Sequence, residues 1–218
     1  MPGYFGDRRD SRKWLITDAD IEGKTTTKEL ISTVLSRKFN TLYTEGNFNN
    51  HIGVPLTLLR LTKEHEMAVV EMGANHPGEI KTLVHIAEPD YGIITNVGKA
   101  HLQGFGSFEG VIRTKGELYD FLRDKGGATI FIQNENPYLN GIAEGLTCVR
   151  YGQTAGLYVS GELISCSPFL SFRWTAEGVS HEHGHLCTEY YLRNLFQKQR
   201  TDLIFLMSIR EGDLLGYQ

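Results

Sequence analysis

Apolar residues along this chain follow two spacings. Trp14-Leu15-Ile16-Thr17 is a short apolar run, Thr41-Leu42-Tyr43 is another, and Met67-Ala68-Val69-Val70-Glu71-Met72 is a longer one that includes a carboxylate near its end. Runs of this length without alternation predict strands buried on both faces, as in parallel sheets. Between them the spacing lengthens to that of a helix. Leu30, Ile31, Val34 and Leu35 predict one over residues 25–38, and 54–61 reads as a second with Pro55 in its first turn. Further helices are predicted over 77–87 and over 107–122, where Ser107 is a suitable cap. Strands are predicted over 91–95 and, after the Gly126-Gly127 turn, over 128–132. Residues 44–50 form a loop rich in Gly and Asn. From about Gly145 the pattern changes to short alternating segments such as 157–159 and 169–174, which predict a small β-rich extension. From Tyr190 onward charges and apolar residues mix at poor helical spacing, and 213–218 is expected to fray.

Strands alternating with helices imply an α/β fold with a mostly parallel sheet and right-handed crossovers. Ligands of such sheets bind at the carboxyl ends of the strands. The polar features gather there: Lys24 and Thr25 after the first strand, Glu71 closing the third, Asn96 and His101 after the fourth. Gly23-Lys24-Thr25-Thr26 sits where the first strand gives way to a helix. At such a point unpaired N–H groups and the helix dipole favour an anion, a lysine adds a point charge, and a threonine hydroxyl can meet Mg²⁺. The loop ahead of it is acidic. A full phosphate loop has glycine five residues before Gly23, and here that residue is Asp18, with Asp20 and Glu22 following.

Composition narrows the function classes. The 218 residues are 40% hydrophobic and 22% charged, as in an ordinary globular protein, and the net charge of −4 with no basic tract argues against a nucleic-acid partner. No apolar run approaches the ~18 residues of a membrane span, and residues 1–12 are polar without a signal-peptide core, so a cytoplasmic protein is expected, and separately a monomer. Cys148, Cys166 and Cys187 are far apart and read as reduced thiols.

Five stretches in order carry a resemblance. They are Lys24-Thr25-Thr26-Thr27-Lys28-Glu29-Leu30, the segment from Gly46 to Thr57, the segment from Val70 to Ile80, Thr95-Asn96-Val97-Gly98-Lys99-Ala100-His101-Leu102, and Thr114-Lys115-Gly116-Glu117-Leu118. Together they resemble the Mur ligases, over roughly residues 16–151. The resemblance implies a P-loop-like central ATPase domain over 1–189 and a divergent tail over 190–218, with the family's UDP-substrate and C-terminal domains lying outside this chain. It also implies ATP-driven amide formation through an acyl phosphate. ATP and Mg²⁺ are the implied cofactors, and UDP-N-acetylmuramoyl-tripeptide and D-alanyl-D-alanine the implied substrates. By the same resemblance Gly23, Lys24, Thr25, Thr26, Asn96 and Asn194 would hold the nucleotide, and Thr25, Glu71 and His101 the metal. Lys115 would be the lysine that the family carries as a carbamate, and Lys24, Lys115 and His101 would serve catalysis. Asn47, Asn49 and Asn50 match the substrate loop.

Most of these residues also have plainer readings. Lys24 could be a solvated lysine at a helix start, and Glu71 a solvated strand end. Lys115 could be an exposed helical lysine paired to a glutamate, and the asparagines simple turn formers. His181, His183 and His185 alternate, so a strand would put them on one face; they match nothing in the family, and a transition-metal site there lacks a fourth ligand. The chain departs from the family at Asp20, Ile21 and Glu22, where Gly, Ser or Thr, and Asn belong. It departs again after Tyr190, where only Asn194 of the Tyr-Asn-x-x-Asn continuation is kept. Two readings therefore stay open: a peptidoglycan-precursor ligase, here a fragment or divergent copy, and a catalytically silent P-loop-like module that binds a partner or nucleotide weakly. A folate polyglutamate synthase is a third reading, against which the stretch Glu71 to Gly78 argues.

Overall fold

The long apolar runs become the centre of a nine-stranded sheet in the computed structural model, which describes residues 13–18, 24–98, 102–165, 169–176 and 178–186. Strands β1 (Lys13–Asp18), β2 (Thr41–Tyr43), β3 (Met67–Glu71), β4 (Tyr91–Ile94), β5 (Thr129–Gln133) and β6 (Thr147–Gly152) are all parallel, in the order β2-β3-β1-β4-β5-β6. β7 (Val159–Ser165) pairs parallel with β6, and β8 (Phe169–Ala176) and β9 (Val179–Leu186) extend the sheet antiparallel. The helices are α1 (Lys24–Leu35), α2 (Gly53–Leu59), α3 (Glu79–Ala87), α4 (Leu102–Phe105), α5 (Phe108–Lys125) and α6 (Pro137–Ile142). The α/β fold with its mostly parallel sheet and small β-rich extension is thus as the pattern predicts.

All five residues of β3 are buried, which is why its sequence is apolar without alternation. Successive side chains still point to opposite faces. Met67 and Val69 pack with Ile31 and Leu35 of α1 and with Ile93 of β4. Ala68 and Val70 pack on the other face, with Val54 and Leu58 of α2, Ile80, Leu83 and Val84 of α3, and Leu118 and Leu122 of α5. Among the described helices α1 therefore covers one face, while α2, α3, α5 and α6 share the other. The chain leaves β1 toward β2 and leaves β4 toward β5, so the connections after these adjacent strands diverge. The crevice at such a switch point is where a parallel sheet takes its ligand.

Element boundaries differ from the pattern for local reasons. α1 stops at Leu35, and Arg37 and Lys38 bond back three residues to Val34 and Leu35 in a tightened last turn. α3 starts at Glu79, two residues later than the apolar spacing suggests, because Gly78 takes a left-handed φ of 85°. α5 has Ser107 as its cap, whose hydroxyl accepts from Gly110 N, and runs on to Lys125. That last turn is held by polar bonds: Lys125 Nζ donates to the carbonyls of Glu88 and Pro89 and to the Asp90 carboxylate. α6 and β6 escaped the apolar pattern. Asn136 accepts from Tyr138 N and Leu139 N, with Pro137 opening the helix, so an Asn-Pro cap was the available signal for α6. The expectations for Gly23, His101, Asn194, Cys166, Cys187 and the 189/190 boundary fall outside the described residues.

Candidate functional site

The loop after β2 is stitched to the end of β3. Thr44 N donates to Val69 O at 3.0 Å, and Thr44 Oγ1 accepts from Glu71 N at 3.0 Å. Farther along, Gly73 N donates to Asn49 O at 2.7 Å, and Asn49 Nδ2 donates to Glu71 Oε1 at 2.8 Å. Asn50 turns the other way: its Oδ1 accepts from Ile52 N and Gly53 N, which starts α2. A Cβ at Gly53 would overlap the Phe48 backbone, so only glycine permits this entry. Asn47 is exposed. Within the Asn-rich loop, then, Asn50 does turn chemistry and Asn49 points its amide inward.

The loop after β3 is held by two glutamates. Glu79 Oε2 accepts from Asn75 N at 2.6 Å and His76 N at 3.0 Å. Glu117 of α5 reaches the start of α3 and accepts from Gly78 N at 2.8 Å and Lys81 N at 2.7 Å, satisfying N–H groups that have no partner within the helix. Burial pushes the Glu79 carboxyl up, but the N–H groups of Asn75 and His76, with the His76 side chain, outweigh it and hold the carboxyl below its ordinary 4.5. A carboxyl whose folded value is depressed stabilises the fold above its unfolded value, and that stability is lost as pH falls through the folded value. Denaturant unfolding of wild type and Glu79→Gln should therefore show a stability gap at neutral pH that closes as pH drops below about 4.5. A gap of constant size across that range would exclude this role.

Each residue singled out in the sequence now has a place. Lys24, the first residue of α1, stands just past the end of β1, with Thr25 exposed beside it; the Lys24 and Thr26 side chains are outside those described. Glu71 ends β3 fully buried. Asn96 follows β4 by two residues, and its Oδ1 accepts from Val97 N at 2.8 Å, a local turn bond. Lys115 is buried on α5, at 7% exposure, so the plain reading of an exposed helical lysine does not hold. The side chains of His181, His183 and His185, on β9, and of Asp18, on β1, are outside those described, and Asp20 and Glu22 lie outside the described residues altogether. Cys148 is half-buried and forms no disulfide, and burial pushes its thiol above the ordinary range.

Other residues emerged only from the fold. Lys28 is fully buried, ion-paired to Glu29 and 5.6 Å from the centre of the Tyr43 ring. The hydroxyls of Thr27 on α1 and Thr95 after β4 are buried without a partner. Glu71 Oε2 shares that state, and it is the only carboxylate oxygen among the described residues to do so. β3 and β4 are the two neighbours of β1, so these strand ends flank the point where β1 leads into α1. Gly104 of α4 belongs here too. A Cβ there would overlap Asn75 O, so glycine lets the segment after Asn96 approach the loop after β3.

A buried carboxylate oxygen without a hydrogen-bond donor suits a hard divalent cation. Among the described residues no three His, Cys, Asp or Glu side chains gather as a metal cage. That is the usual situation for Mg²⁺, which takes one or two protein carboxylates and completes its shell with water and phosphate oxygens. The donor set at Glu71 thus fits Mg²⁺. Between the Asn-rich loop and the loop after β3 lies a cavity of about 440 Å³ walled by Asn50, His51, Gly73, Asn75, Glu79 and Thr82. A larger cavity of about 630 Å³ lies between α3 and α5 around His85, Glu88 and Phe121, toward the opposite ends of those helices. No described helix is long and apolar enough to cross a membrane.

Comparison with known proteins bears on what this crevice holds. Residues 22–169 match the family model described as the Mur ligase middle domain. Over 118 residues the chain is 50% identical to UDP-N-acetylmuramoyl-tripeptide–D-alanyl-D-alanine ligase of Escherichia coli, covering 54% of this chain and 26% of that protein. Its structure resembles MurF from Acinetobacter baumannii, with a TM-score of 0.77 and 29% identity over 93% of this chain and 44% of that one. It also resembles a MurF ligase from Thermotoga maritima solved in complex with ADP, with a TM-score of 0.71 and 29% identity over 80% of this chain and 40% of that one. The chain spans about a quarter of the length of the curated relative it matches.

Proposed function

Because the chain belongs to the Mur ligase family through its middle domain, we propose that it is the nucleotide-binding part of an ATP-dependent ligase of peptidoglycan-precursor synthesis. The reaction joins D-alanyl-D-alanine to UDP-N-acetylmuramoyl-tripeptide. A substrate carboxylate oxygen attacks the γ-phosphorus of ATP, ADP leaves, and the amine of D-alanyl-D-alanine then displaces inorganic phosphate from the acyl phosphate. The single observation that carries this reading is Glu71: a fully buried carboxylate with one oxygen that has no hydrogen-bond partner, on the strand beside β1, where α1 begins.

In this reading the first N–H groups of α1 and Lys24 hold the phosphates, with Gly23 allowing close approach. Thr25, Glu71 and His101 hold Mg²⁺, and Lys115 helps place a metal in its carbamylated form. Mg²⁺, when bound, neutralises phosphate charge as it develops in the transfer. Asn96 and Asn194 contact the nucleotide, and the loop of Asn47, Asn49 and Asn50 faces the UDP-linked substrate. Phosphoryl transfer needs positioning and charge neutralisation more than covalent help, and these residues supply both. The chain acts as a cytoplasmic monomer.

A second reading, a silent module that binds nucleotide weakly, is favoured by Asp18, Asp20 and Glu22 ahead of Gly23. Calorimetry with Mg-ATP separates the two. The ligase reading expects micromolar binding that falls by at least about 100-fold in Lys24→Ala, since a charge-assisted contact to phosphate is lost. Absence of saturable binding at millimolar Mg-ATP would overturn it in favour of the silent module.

A further inference from the structure

We propose that Asn49 is a positioning residue for Glu71: its side-chain amide holds one carboxylate oxygen so that the other stays open to a divalent cation. This proposal rests on the reading of Glu71 as a cation ligand. Glu71 is fully buried, and its two oxygens differ completely in partners. Oε1 receives Asn49 Nδ2 at 2.8 Å, whereas Oε2 has no donor. The carboxylate only accepts, so the amide must turn its NH₂ end toward it, and that end carries no charge. Asn49 therefore orients the carboxylate without neutralising it, which a lysine or arginine would do.

Asn49 is itself held by the loop that follows β3. Its carbonyl accepts from Gly73 N at 2.7 Å, two residues beyond Glu71. A Cβ at Gly73 would lie 3.2–3.3 Å from the Asn49 amide, so glycine leaves the amide its room. Thr44 Oγ1 meanwhile accepts from Glu71 N and fixes the carboxylate's own backbone. Neither neighbouring asparagine can substitute: Asn47 is exposed, and Asn50 is committed to Ile52 N and Gly53 N. Residues that orient a metal ligand in this way typically set metal affinity by about 10- to 100-fold.

The experiment uses the full chain and Mn²⁺ alone as the probe, read by electron paramagnetic resonance and by thermal unfolding. Glu71→Gln is expected to lose tight Mn²⁺ binding, and Asn49→Leu to weaken it by about 10- to 100-fold. Asn49→Asp puts a second carboxylate against the first. Without cation it should melt below wild type, and Mn²⁺ should raise its Tm by more than it raises that of wild type. An amide with a merely structural role gives the same Mn²⁺-induced shift in both, and this comparison decides the matter if Asn49→Leu does not fold. Wild-type Mn²⁺ affinity in Asn49→Leu alongside its loss in Glu71→Gln would overturn the positioning role and leave Glu71 as ligand. No effect of either substitution on Mn²⁺ binding would overturn the cation reading of Glu71 and the positioning role together.

Discussion

Replacing Asp20 with glycine and Glu22 with asparagine is expected to tighten Mg-ATP binding by this chain about 1,000-fold. α1 begins at Lys24 with no acidic residue in its first turn, so its own N-terminus is well suited to an anion. The residues ahead of it include the carboxylates Asp18, Asp20 and Glu22. Two unit charges ~4 Å apart at an effective dielectric near 20 repel by ~4 kcal/mol, and ~4 kcal/mol is about three powers of ten in affinity. Glycine at position 20 would additionally have no Cβ and would admit positive φ. Calorimetry on wild type, the double variant and a charge-only control, Asp20→Asn with Glu22→Gln, separates the two causes. Most of the gain in the control assigns the effect to charge; a gain confined to the glycine variant assigns it to backbone approach. Less than a tenfold gain in both would show that these carboxylates point away from the phosphates.

Glu71→Gln is expected to split stability from cation-dependent binding. In the chain without cation, Glu71 is a fully buried carboxyl group with one oxygen that has no hydrogen-bond donor. An uncompensated buried charge costs several kcal/mol, more than a neutral amide in the same place. The introduced amide can still accept from Asn49 through its oxygen, so the contact across the loop survives. Tm without cation should rise by about 2–4 °C for each ~1 kcal/mol recovered in a chain of this size. Mg²⁺-dependent nucleotide affinity should fall by at least about 100-fold, since a first ligand matters more than the groups that orient it. A fall in Tm together with retained Mg²⁺ dependence would mean that Glu71 is a structural carboxylate.

Glu71 itself was legible in the sequence, because a carboxylate near the end of a six-residue apolar run stands out. Its partner was not. Asn49 lies 22 residues earlier in a segment where Asn47, Asn49 and Asn50 look alike, and any of them could form a turn. Glu117 read as one residue of a helical stretch, yet it caps α3 from 36 to 39 positions away. Lys115 looked equally suited to solvent until α5 was packed against the sheet and buried it. Lys28 gave no signal, since a lysine in a helix is ordinarily solvated; its ion pair with Glu29 and the approach of Tyr43 make the buried position tenable.

By itself the sequence determined the alternation of strands and helices, the α/β class and the order of its motifs, because apolar spacing is set by the local period of each element and needs no partner to be read. Tertiary structure alone decided the strand order that puts β3 and β4 on either side of β1, and with it which strand ends meet at α1. It also decided which asparagine faces Glu71, which oxygen of Glu71 stays open, and which glutamate closes the start of α3. These are matters of side-chain direction and of contacts between residues distant in the chain. Sequence spacing carries no information about them until the sheet brings the loops together.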